Sequence, residues 1–92
     1  MNIGKRTLMF ACYTLARVAP TMDKKVYKAV KSYPEVKDVI LTYGEYDLII
    51  RVESNSLEDL DDFIFTKLRT TEGIEATTTL IEARPSSVVK GN

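Results

Sequence analysis

The stretch Val36-Lys37-Asp38-Val39-Ile40-Leu41-Thr42-Tyr43-Gly44-Glu45-Tyr46-Asp47-Leu48-Ile49-Ile50-Arg51-Val52-Glu53 decides the fold. Two runs rich in β-branched and aliphatic residues flank Gly44, which reads as a β-hairpin with strands over 36–43 and 46–53. Gly44 suits a two-residue turn or a longer loop, so the register between the strands stays open.

Upstream, Leu8-Met9-Phe10-Ala11-Cys12-Tyr13-Thr14-Leu15-Ala16-Arg17-Val18 is a nearly continuous apolar run, the pattern of a strand covered on both faces. Pro20 stops it. Thr21 is placed to cap a helix that carries Asp23 in its first turn and runs to about Ser32. In that helix Met22, Val26, Ala29, Val30 and Tyr33 recur at helical spacing, with Lys24, Lys25, Lys28 and Lys31 between them. Downstream of the hairpin, Ser56 with Asp59 resembles a capping box for a second helix. Its expected buried stripe is Leu57, Leu60, Ile64 and Leu68, flanked by Phe63, and Glu58, Asp59, Asp61 and Asp62 crowd its first half. Gly73 ends it, and Ile74 to Arg84 is a threonine-rich last strand stopped by Pro85.

The order β-α-β-β-α-β, with right-handed crossovers, predicts an α+β fold of the ferredoxin-like type, a four-stranded antiparallel sheet with two helices on one face. One domain over 8–84 is expected, with 1–7 and 85–92 as flexible ends. The first and third strands carry apolar residues at both alternating sets of positions, so the face without helices needs a cover. An identical sheet is the economical one, giving a sheet-to-sheet homodimer of the dimeric α+β barrel type. The competing expectation is a face of mixed polarity, since Arg51, Asp47 and Glu53 point to one side.

Composition narrows the function. Thirteen basic residues balance thirteen acidic ones, so no broad field exists to hold a nucleic-acid backbone. Histidine is absent and Cys12 is the sole cysteine, which removes the commonest general base and transition-metal ligand and leaves no internal disulfide. No metal, no catalytic residue and no cofactor is expected. No apolar run approaches the ~20 residues needed to span a bilayer. A cytoplasmic protein is expected.

Pro34-Glu35-Val36, then Gly44-Glu45-Tyr46-Asp47-Leu48-Ile49-Ile50-Arg51-Val52, then Gly73-Ile74-Glu75 leading into Thr77-Thr78-Thr79-Leu80-Ile81, occur in an order and at a spacing that resemble the RAM domain. That domain is the effector-binding and oligomerising half of Lrp/AsnC transcription regulators, and the resemblance covers roughly Met9 to Glu82. Such regulators carry a helix-turn-helix ahead of it, whereas only Met1 to Thr7 precede the first strand here, so the sequence resembles the stand-alone members of the family.

The resemblance implies amino-acid effectors bound between dimers assembled into an octamer or decamer ring. The residues it carries over make a site of Gly44, Tyr46, Asp47, Thr77 and Thr79. Gly44 permits close backbone approach, Asp47 suits an α-ammonium group, and the hydroxyls of Thr77 and Thr79 suit a carboxylate. Tyr46 walls the pocket. Each residue also has a purely structural role open to it: turning the chain, bonding turn amides, or filling a strand. Two other functions remain open at this point. One is a protein-interaction modulator that co-assembles with full-length Lrp/AsnC regulators without binding ligand. The other is a small ferredoxin-like enzyme, against which the missing histidine and the lack of a spaced carboxylate pair both weigh.

Overall fold

The computed structural model describes residues 6–84 and 86–89. Its elements run β1 (Arg6–Val18), α1 (Asp23–Lys31), β2 (Val36–Leu41), β3 (Leu48–Ser54), α2 (Leu57–Phe63), a π-helical turn (Ile64–Leu68), β4 (Ile74–Ile81) and β5 (Ser86–Val89). The sheet order is β2-β3-β1-β4, antiparallel throughout, so the expected ferredoxin-like α+β arrangement is what forms.

Cross-strand rows show how the two-residue period of a strand divides the sheet. On the helix-covered face lie Val39, Ile50, Thr14 and Thr79 in one row and Leu41, Leu48, Ala16 and Thr77 in the next. On the other face lie Ile40, Ile49, Leu15 and Thr78, then Asp38, Arg51, Tyr13 and Leu80. The core sits on the first face. Cys12, Ala16, Leu48, Ile50 and Val52 are fully buried there under Val26 and Val30 of α1 and Leu60, Phe63 and Leu68 of the second helical segment. Burial also pushes the Cys12 thiol pKa up, because the charged thiolate is the form that desolvation penalises.

Four local expectations are corrected. The segment 85–92 was expected to be a flexible end, as was 1–7. Instead Ser86–Val89 forms β5 and pairs with Arg6–Met9 of β1. The cause is that β1 outruns β4, whose pairing stops at Cys12, leaving backbone groups for the two valines and two serines to satisfy. Residues 1–5, 85 and 90–92 lie outside the described residues.

Thr21 does not cap α1. It adopts φ +71°, the left-handed turn after Pro20, and the N-cap position falls to Met22 with no side-chain cap. The expected stripe on the second helix also shifts. The π-helical turn bonds Arg69 N–H to the Ile64 carbonyl, and its wider winding accompanies burial of Phe63 in the core. Leu57, expected inside, is 49% exposed. Finally, the hairpin strands are shorter than expected, ending at Leu41 and starting at Leu48, which pair with each other.

Ser56 does cap α2, its hydroxyl oxygen accepting from Asp59 N–H at 3.0 Å. Gly73 is required twice over. It sits at φ +98°, and an added Cβ would stand 2.6 Å from Val26 Cγ2.

Candidate functional site

The hairpin connection spans 42–47. The Thr42 N–H donates to the Asp47 carbonyl at 2.9 Å and the Thr42 hydroxyl to the Tyr46 carbonyl at 2.7 Å. Gly44 turns the chain at φ +118°, and no atom lies within 4 Å of where a Cβ would be, so dihedral freedom rather than close packing calls for glycine.

Asp47 does structural work. Its Oδ2 accepts the Val18 N–H at 2.8 Å, and its own N–H donates to the Ala16 carbonyl at 2.9 Å. These two bonds clamp the hairpin to the end of β1. Tyr46 reaches the open sheet face, where its hydroxyl bonds Thr78 Oγ1 at 3.1 Å. The Arg17 guanidinium lies 5.7 Å from the Tyr46 ring centroid and pairs with Glu45 at 3.2 Å. Beside them a shallow pocket of about 250 Å³ is lined by Leu15, Thr42, Tyr43, Glu45, Tyr46 and Ile49.

The two other expected site residues are elsewhere. Thr77 and Thr79 do share a strand face, but it is the helix-covered one. Thr79 Oγ1 bonds the fully buried Thr14 hydroxyl at 3.0 Å and lines a groove of about 410 Å³ between α2 and β4. Within one chain, Tyr46 therefore meets Thr78, not Thr77 and Thr79, while Asp47 bonds Val18 and Ala16 at the end of β1. Thr78 and Arg17 were missed because the pairing of β1 with β3 and β4 is not written in the local sequence. A strand pairing of Leu15 with both Ile49 and Thr78 is what reveals them.

The open face is divided. One half is apolar, with Ile40 49% exposed beside Ile49 and Leu15. The other half is an ion network: Arg51 bonds Glu53 and Glu82, each at 3.0 Å, and donates to the Tyr13 hydroxyl. The bond to Glu82 is the main cause that raises the Arg51 pKa, so the guanidinium stays charged. Among the described residues no cluster of His, Cys, Asp and Glu could hold a metal, and no helix is long and apolar enough to cross a membrane.

A family model described as the Lrp/AsnC ligand binding domain matches residues 11–85. The chain belongs to this family. FFRP-DM1, a solved structure, is 38% identical and superposes with a TM-score of 0.77 over 79% of this chain and 97% of its own. AsnC of E. coli has a TM-score of 0.76 at 24% identity, over 82% of this chain and 51% of its own. The HTH-type transcriptional regulator FL11 of Pyrococcus furiosus is 29% identical over 69 residues, which are 75% of this chain and 45% of that protein. The chain thus spans about half the length of the curated regulators it matches. Members of this family are effector-binding parts of transcription regulators, and the chain is such a regulatory module rather than an enzyme.

Proposed function

We propose that this domain binds a free amino acid at the hairpin lip and assembles with copies of itself through the open sheet face. Its effect on transcription then passes through association with DNA-binding Lrp/AsnC regulators in the cytoplasm. The observation that carries the ligand class is the set of groups around Tyr46: a cation in Arg17, a carboxylate in Glu45, hydroxyls in Tyr46 and Thr78, and an apolar floor of Leu15 and Ile49. A zwitterion with an apolar side chain satisfies all four kinds of group. Only one oxygen of Asp47 is committed to Val18, which leaves the other for an ammonium group. A regulator from Neisseria meningitidis with this fold was solved as a complex with L-Met, though at 14% identity it speaks for the fold alone. Thr77 and Thr79 join Gly44, Tyr46 and Asp47 in this reading only where a neighbouring copy brings its β4 edge against the hairpin, as in a ring of eight or ten subunits.

The self-association reading rests on the half-exposed Ile40 in one row with Ile49 and Leu15, and on Leu80, 56% exposed, in the next row beside Tyr13, apolar surface that a second sheet would cover. Two measurements test it. Titration calorimetry with a panel of amino acids should give heat for at least one apolar member, weakened at least fivefold by the paired change Tyr46→Phe with Thr78→Val. Heat from no member would sink the ligand class. Light scattering should show Leu15→Asp at half the parent mass or less, and an unchanged mass would reject the open face as the interface.

A further inference from the structure

A second hollow lies at the end of the sheet away from the hairpin, where Phe10 of β1 pairs with Ser54 of β3, whereas the hairpin closes near Ala16 and Leu48. It measures about 560 Å³, against about 250 Å³ beside Tyr46, and takes its walls from the α1–β2 connection, the end of β3 and one side of α2. The first two walls are tied by backbone, the Glu53 N–H donating to the Glu35 carbonyl at 3.1 Å. On the third, Asp59, Asp62 and Thr66 follow one another at three- and four-residue spacing, which puts them on one helix face.

The charges in this hollow are unequally committed. Lys37 donates to the Pro34 carbonyl at 3.2 Å, and the Lys67 ammonium lies 5.5 Å from the Tyr33 ring centroid. Glu53 pairs with Arg51 at 3.0 Å. Glu35, Asp59 and Asp62 have no ion pair among the described residues, so the charge left over is negative. The Glu35 carboxyl adds an independent sign: its Oε1 is out of contact with solvent and has no hydrogen-bond partner among the described residues. An acceptor in that state has given up water and gained no bond, so a donor is what the position lacks. The terminal torsion of a glutamate is soft, and turning the carboxyl brings this oxygen to a donor inside the hollow.

We propose that this hollow is a second ligand site and takes a small organic dication, an aliphatic diamine or guanidino-amine, with one cationic end on Glu35 and the other on Asp59 and Asp62. Carboxylates that the chain leaves unpaired call for charged N–H donors. Among the described residues no group of acidic side chains is disposed to hold a metal ion, so the negative charges are spaced along the hollow rather than gathered at a point. Met9, Pro34 and Phe63 supply apolar lining, which suits a methylene stem between two cationic ends and does not suit a hydrated ion. The site rests on no part of the hairpin reading, and either stands if the other fails.

The test is titration calorimetry of the whole chain with 1,4-diaminobutane and with agmatine, with circular dichroism confirming the fold of each variant. At least one of the two should give saturable heat, and 1,4-butanediol, of similar length and uncharged, should give none. Glu35→Gln, and separately Asp59→Asn with Asp62→Asn, should each weaken binding at least fivefold. The second variant changes only exposed side chains, so it decides the matter even where Glu35→Gln does not fold. Glu58→Gln with Asp61→Asn removes the same charge from the part of α2 outside the hollow and should change affinity less than twofold. Heat from neither dication, or equal heat from the diol, overturns the proposal. So does a folded Asp59 and Asp62 variant that binds as the parent does, or an equal loss from the Glu58 and Asp61 pair, which would mean diffuse attraction to an acidic helix.

Discussion

The two faces of this sheet are built from the same strands and differ in what finishes them. Ile50 and Ile49 are neighbours in β3. Ile50 is fully buried beneath the helices, whereas Ile49 looks onto the open face beside Leu15 and Ile40. One face is completed inside the molecule. The other pairs an apolar patch with the Arg51 network and stays accessible in the single chain.

The sharpest way to break this comparison is to truncate the two isoleucines in turn. Ile50→Ala should cost roughly 2–5 kcal/mol in urea unfolding. Ile49→Ala should cost about 1 kcal/mol or less in protein dilute enough to be dissociated, and its main effect should be on mass. Equal costs would mean the faces are not different in kind.

Next in size is Gly73→Ala, which forces a Cβ against Val26 and a strained dihedral, for an expected loss of roughly 2–4 kcal/mol in the same assay. Asp47→Ala strips the acceptor from the Val18 N–H and should cost about 1–3 kcal/mol, with Asp47→Asn retaining most of the stability. If Asp47→Asn keeps stability but loses amino-acid heat, the carboxylate serves the ligand as well as the strand.

The smallest effect concerns pH. Burial raises the Cys12 pKa above its ordinary 9.0, so the folded state favours the neutral thiol. That contribution is complete below pH 9.0 and declines as pH rises through the folded value. Alkaline unfolding curves for the parent and Cys12→Ala should therefore converge above pH 9, and parallel curves would contradict the burial argument.

Strand order and helix count were legible because hydrophobic period and turn residues are local signals. Ser56 as a cap and Gly73 as a terminator follow from short-range bonding rules in the same way. Register was not legible, since it depends on how Leu41 and Leu48 close a six-residue connection. The pairing of β4 with β1 was no more legible, and it is this that split the expected site. Thr77 and Thr79 were rightly placed on one strand face, but which face, and hence whether they meet Tyr46, follows from pairing with β1. β5 was hidden for a related reason: Ser86 to Val89 is a strand only because Arg6 to Met9 offers it an edge.

β1 is the spine on which β3, β4 and β5 all pair. A ribosome therefore makes β1 before the three strands that pair with it, and β2 joins the sheet through β3. Until β3 and then β4 emerge, this long apolar segment has two bare edges, so protection of the nascent chain falls to the cell. Such contacts between distant parts of the chain also slow folding, because the loops that join them must close before the pairing repays their entropy.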